Sequence, residues 1–123
     1  MNKLEYINES EKSYDTIYNN KCPILYALKI IGQKWKLPIL WHLSKFEMLH
    51  YNELKRCVAG ITNTILTKCL RELESDGLVS RFQHRTIPPS VEYRLTERGK
   101  SLLPALNELY HWGKEQIELK DRK

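Results

Sequence analysis

Cysteine is scarce in this 123-residue chain, and its scarcity excludes two classes of small protein. Cys22, Cys57 and Cys69 make an odd count with no C-x-x-C pair and no histidine at zinc-ligand spacing. Neither a disulfide-stapled secreted scaffold nor a structural metal site is therefore expected, which leaves free thiols in a reducing compartment. Long apolar runs are missing too. Lys29, Lys34 and Lys36 interrupt the best stretch before it reaches the roughly 18 residues a membrane span needs. The opening MNKLEYINESEK has no apolar signal-peptide core, so a cytoplasmic location and no membrane partner are expected. Acid is in the minority, with 15 Asp and Glu against 20 Lys and Arg, a net charge of +5. That balance suits an anionic partner such as nucleic acid without demanding one. Enzyme signatures are absent: there is no P-loop, G-x-G-x-x-G, G-x-S-x-G or H-E-x-x-H, and no identifiable base for a cysteine nucleophile. No enzyme activity and no cofactor are expected.

What is present reads as one folded domain, 41% hydrophobic with three Trp and seven Tyr. Residues 1–20 form a polar arm with loosely helical spacing, residues 21–118 the domain proper, and residues 119–123 a polar tail. Cys22-Pro23 opens a helix carrying Ile24, Leu25, Leu28 and Ile31, because proline suits the first helical position. Gly32 and Pro38 predict a break near residues 33–38 before helix resumes to about Leu43, with Trp35 anchoring the core. YNELKRCV forms a short helix ended by Ala59-Gly60. A second helix follows at once from Thr62, the natural N-cap, so the pair has the helix-turn-helix arrangement.

From Leu78 the pattern changes period. LVSRFQH and VEYRL carry β-branched and aromatic residues in partial alternation around RTIPPS, which predicts a β-hairpin over about residues 79–95. Thr96 caps a final helix, kinked or restarted at Pro104. The fold class is mainly α with a small β-hairpin: a winged helix-turn-helix domain with N- and C-terminal dimerisation helices. Leu102, Leu106, Leu109, Trp112 and Ile117 offer more apolar surface than one small domain uses, which predicts a homodimer.

The helix at about residues 62–76 has two sides. Ile65, Leu66, Cys69, Leu70 and Leu73 make the buried stripe. Thr64, Thr67, Lys68, Arg71 and Ser75 lie opposite, with Asn63 in the first turn. Amides, hydroxyls and bases at a helix N-terminus are the groups that base edges and phosphates accept, so Thr62, Asn63, Thr64, Thr67, Lys68 and Arg71 are candidate contacts to double-stranded DNA. In the hairpin, Arg81, His84, Arg85 and Arg94 face a single acid, Glu92, as a basic wing for the backbone or minor groove. Lys34 and Lys36 complete the set. The competing class, a winged domain used only for protein contacts, calls for an apolar or acidic helix face.

CPILYALKIIGQKWKLPILWHL, YNELKRCVAGIT, LTKCLRELESDGLVSR and IPPSVEYRLTERGKSLLPAL resemble, in order and spacing, the signatures of the HxlR family of bacterial transcriptional regulators, relatives of the MarR-like regulators. The resemblance runs from about Cys22 to Gly113. It implies a homodimer paired through terminal helices on a pseudo-palindromic operator, as repressor or activator, with no inducer legible. Trp35 falls on the family's glycine-tryptophan signature. Tyr51 stands where the family usually has Phe, and Thr64 where many members carry Lys or Arg, which implies a different operator preference. Cys22 matches a cysteine that in several members senses oxidants or electrophiles. Its place before Pro23 at a helix start, beside Lys21, is a setting that favours a reactive thiolate. Cys57, beside Arg56, is a candidate resolving thiol. Cys69 lies on the buried stripe and reads as packing.

Overall fold

The computed structural model describes residues 2–5 and 22–122, in two units, residues 1–33 and 34–123. Apart from a helical turn at residues 3–5, the arm expected over residues 1–20 lies outside the described residues. In the first unit, helix α1 (Pro23–Ile31) begins as the sequence indicates, with Cys22 as N-cap and proline at the first position.

The second unit starts with α2 (Lys36–Leu43), which absorbs Pro38 in its first turn, where a missing N–H costs no helical hydrogen bond. The interruption between α1 and α2 is therefore Gly32 to Trp35, and the helix resumes before the proline. Strand β1 (Leu49–His50) leads straight into α3 (Tyr51–Cys57), and α4 (Asn63–Ser75) follows across the Ala59-Gly60 turn. Strands β2 (Val79–His84) and β3 (Ser90–Leu95) form the hairpin. The C-terminal helix is split: α5 (Glu97–Lys100) ends before Pro104, and α6 (Leu103–Asp121) restarts around it.

Helix α4 is set at both ends by local chemistry. Thr62 Oγ1 accepts from the Ile65 N–H at 3.2 Å, the expected N-cap. At the other end Gly77 takes φ of +77°, which only glycine adopts without strain. The Leu78 N–H then donates to the Leu73 carbonyl at 2.9 Å and the Gly77 N–H to Glu74 at 3.0 Å. These two bonds close a Schellman motif, and its hydrophobic partners Leu73 and Leu78 are both buried. The chain leaves this turn directly as β2. Thr96 then ties the hairpin's end back to its start, donating to the Gly77 carbonyl while accepting from the Gly99 N–H.

The three strands form one antiparallel sheet in the order β1-β3-β2, with Leu49 opposite Tyr93 and Arg81 opposite Tyr93 on the other side. The two-residue β1 was not legible in the sequence. The core joins Ile39, Leu40 and Leu43 of α2, Leu54 of α3, and Leu66, Cys69, Leu70 and Leu73 of α4 to Val79 and Tyr93 of the sheet. Each fully buried leucine here is worth about 1.5 to 3 kcal/mol relative to exposure.

Three expectations need correcting. Ile65 sits at the margin of the α4 stripe and is exposed. Trp35 is only half-buried, its ring carrying the Lys34 ammonium 4.6 Å from its centroid, so the core does not pivot on it. Leu106 was assigned to dimerisation, but it is 5% exposed and belongs to the domain's own core. The docking of α6 is completed by Tyr110, stacked on Trp41 of α2 at 4.6 Å.

Candidate nucleic-acid interface

The polar residues of α4 come out on one exposed surface. Asn63, Thr64, Lys68 and Arg71 are exposed and Thr67 is half-buried among them, so these five line one shallow concavity with Glu72 at its edge. The N-terminal turn of the helix opens at the same place, where the first backbone N–H groups have no partner within the helix. A second, narrower concavity runs from α4 to the sheet and is lined by Thr67, Leu70, Arg71, Glu74, Arg81 and Tyr93. Arg71 and Arg81 thus face one space, reached from β2 at the sheet's open edge.

Alternation along the strands separates the wing's cations. Arg81 lies opposite Tyr93, on the face that packs toward the helices. His84 and Arg94 lie on the other face with Glu92. His84 Nε2 is 2.8 Å from Glu92 Oε1, and Arg94 reaches Glu92 and Glu47 at 3.2 Å each. His84 first, then Arg94, hold the Glu92 carboxyl below the ordinary carboxylate range, and Glu92 in turn raises the Arg94 guanidinium. Of the four basic wing residues, Arg81 lies beside α4 and Arg85 extends exposed at the hairpin tip. On the far face His84 is engaged across the hairpin with Glu92, and Arg94 with Glu92 of its own strand and with Glu47.

Lys36 is the clearest correction. Its side chain is 3% exposed and its Nζ lies 2.7 Å from Glu72 Oε2 on α4. An ammonium in that position cannot meet a phosphate in solution; it fixes α2 to α4, and its hydrogen bond holds the Glu72 carboxyl below the usual range. Lys34, by contrast, is exposed.

A residue marked in the sequence only as a departure from the family's usual Phe closes the α4 face. Tyr51, the first residue of α3, places its hydroxyl 3.1 Å from the Asn63 carbonyl, 3.1 Å from Asn63 Oδ1 and 3.1 Å from Thr67 Oγ1. The residue before it, His50, anchors the start of α3. The His50 N–H donates to Glu53 Oε1 at 2.9 Å, and His50 Nδ1 lies 2.8 Å from the Val91 carbonyl of β3.

The remaining candidates are thiols and apolar surface. Cys22 is half-buried at the α1 N-cap and Cys57 half-buried at the end of α3; both are free. Burial pushes the Cys69 thiol up, consistent with a packing role. Leu109, Trp112 and Ile117 of α6 are exposed, while Leu102 is half-buried. Leu109 and Ile117 line an open groove of about 620 Å³ with Leu37, Pro38 and Trp41 of α2. Among the described residues no helix is long and apolar enough to cross a membrane.

A small three-stranded sheet carrying a hairpin after a helix-turn-helix is the winged-helix arrangement, and the HxlR-like helix-turn-helix family matches residues 30–121. The chain belongs to the HxlR family. A protein named as the regulatory protein MalR, of Fusobacterium mortiferum, is 45% identical over 95 residues, 77% of this chain and 90% of that protein. Among solved structures, a MarR-family transcriptional regulator from Porphyromonas gingivalis W83 is similar at 35% identity with a TM-score of 0.74, covering 77% of this chain and 92% of its own. The redox regulator HypR in its reduced form is similar at 37% identity with a TM-score of 0.75, covering 82% of this chain and 99% of its own. This HxlR-family chain is thus a transcriptional regulator with a winged helix-turn-helix fold.

Proposed function

We propose that the protein binds a pseudo-palindromic operator in double-stranded DNA as a homodimer, with α4 in the major groove and the β2–β3 wing on the backbone or minor groove. The observation that carries this reading is the single exposed surface on which Asn63, Thr64, Thr67, Lys68 and Arg71 stand together, flanked by Arg81. Lys and Arg suit guanine, Asn suits adenine, and hydroxyls serve base edges or phosphates. Lys34 and Arg85 are assigned to the phosphate backbone, and Thr62 acts on the interface by capping α4. The exposed Leu109, Trp112 and Ile117 are assigned to pairing of two copies, with half-buried Leu102 beside them, which sets half-sites near one helical turn, about 34 to 36 Å. A winged domain used only for protein contacts is disfavoured by a face of bases and hydroxyls in place of apolar or acidic residues.

Regulation by thiol chemistry is part of the same proposal. Cys22, at the start of α1, is assigned as the group that responds to an oxidant or electrophile, with Cys57 as its resolving thiol, and the similarity to the redox regulator HypR supports the assignment. The test is selection of bound duplexes from a random pool by the full chain and by Cys22→Ser, each with and without a mild oxidant. The expected result is enrichment of a two-fold-symmetric site whose recovery changes with oxidant only for the wild type. No enrichment of any sequence would remove the DNA reading; an oxidant response preserved in Cys22→Ser would remove the sensing assignment alone.

A further inference from the structure

We infer that Tyr51 is a positioning residue for base reading: its hydroxyl orients Asn63 and Thr67, and through Asn63 it sets the preference at one base pair of the operator. The inference rests on the DNA reading proposed above and adds to it a residue that touches no base.

The geometry leaves little freedom. A phenol has one hydrogen to donate and lone pairs to accept with. Tyr51 Oη lies 3.1 Å from the Asn63 backbone carbonyl and 3.1 Å from Asn63 Oδ1. Both are oxygens that only accept, so the Tyr51 hydrogen is shared between them. Thr67 Oγ1, also at 3.1 Å, is then the group that donates to Tyr51 Oη. The consequences for the two α4 side chains follow. Thr67 then spends its one hydrogen on Tyr51 and keeps acceptor lone pairs for a partner. One lone pair of Asn63 Oδ1 is engaged by Tyr51, which fixes which end of the amide is oxygen and leaves both NH₂ hydrogens for a partner. An asparagine held in this way offers donors, and the acceptor common to both purines at the major-groove edge is N7.

Tyr51 is well placed to hold this arrangement. The residue before it, His50, is bonded to Val91 of β3 and to Glu53 of the same helix, which holds the backbone from which the Tyr51 ring extends; the hydroxyl itself is held by its three contacts to α4. An exposed asparagine on its own would sample several rotamers and lose conformational entropy on binding; one already bonded at Oδ1 has lost that freedom before DNA arrives. Orientation supplied in advance sharpens discrimination more than it adds raw affinity.

The experiment is Tyr51→Phe, which removes one oxygen atom and keeps the ring. Binding of wild type and variant is measured to the selected operator, to four versions of it differing at the base pair that Asn63→Ala identifies, and to random duplex. Wild type is expected to prefer a purine there by about tenfold, the lower part of the range for a directed base contact. The Tyr51→Phe variant is expected to flatten that preference to less than twofold while its affinity for random duplex and its unfolding midpoint stay as in wild type. Asn63→Ala combined with Tyr51→Phe is expected to lose no more discrimination than Asn63→Ala alone. A Tyr51→Phe protein with the wild-type base preference would overturn the inference, as would a uniform loss on every duplex. A wild type that binds no duplex would instead overturn the DNA reading beneath it.

Discussion

Lys36→Ala is expected to lower the unfolding free energy by about 3 kcal/mol, the lower end of the range for breaking a buried ion pair, because Glu72 retains some access to water. The lysine side chain is 3% exposed and Glu72 33%, with 2.7 Å between charges. Truncating the lysine leaves a carboxylate at the α2–α4 junction without its partner and a void where the alkyl stem packed. Urea unfolding at neutral pH measures the loss. Lys36→Met with Glu72→Met is expected to recover most of it, since an apolar pair of similar volume needs no compensation. The pH dependence has a definite sign. The Glu72 carboxyl is held below its ordinary value of 4.5, so its stabilisation is present above that value and is lost as pH falls through the lower folded value. The gap between wild type and Lys36→Ala therefore narrows on acidification below about 4.5. If Lys36→Ala folds as stably as wild type and instead lowers the salt dependence of DNA binding, the lysine is a phosphate contact after all.

Arg71→Ala is expected to cost about 1 to 3 kcal/mol on the selected operator and much less on random duplex. Arg71 is exposed and borders both concavities, one along α4 and one shared with Arg81, so it is placed to reach base edges. Arg85→Ala serves as the contrast. A residue at the wing tip that meets phosphate weakens all sequences alike and lowers the slope of log affinity against log salt by about one. Titrations of both variants on operator and random duplex at several salt concentrations separate the two behaviours. Equal losses for Arg71→Ala on both duplexes would move Arg71 from base reading to backbone contact.

The parts of this fold legible in the sequence were those fixed by local chemistry. Pro23 at a helix start and Thr62 as N-cap each depend on neighbours a few residues away, and each is found where the pattern put it. The apolar stripe of α4 was legible for the same reason, apart from Ile65 at its margin. What was hidden depends on partners distant in sequence. Lys36 reads as a surface lysine until Glu72 is brought against it, and Leu106 reads as spare apolar surface until it enters the core beside α2. Strand β1 has two residues, too few to show alternation, and is a strand only because β3 pairs with it. The sorting of the wing's cations depends on strand register. Counting alternate residues from buried Tyr93 puts Arg81 on one face and His84, Glu92 and Arg94 on the other, but that needs the register, which the proline-bearing tip conceals. Tyr51 showed only as a departure from the family's usual Phe, and what the added hydroxyl meets on the next helix depends on the packing of the two helices.

Photo-crosslinking of the full chain to a selected duplex carrying photoreactive thymine analogues, followed by mass mapping of the attached peptides, asks directly which surface meets DNA. The expected attachments fall within Asn63 to Arg71 of α4, with a second set from Arg81 to Arg85. Attachments concentrated on α6, or on the outer face of the sheet around Phe82 and Arg94, with none on α4, would contradict recognition through that helix.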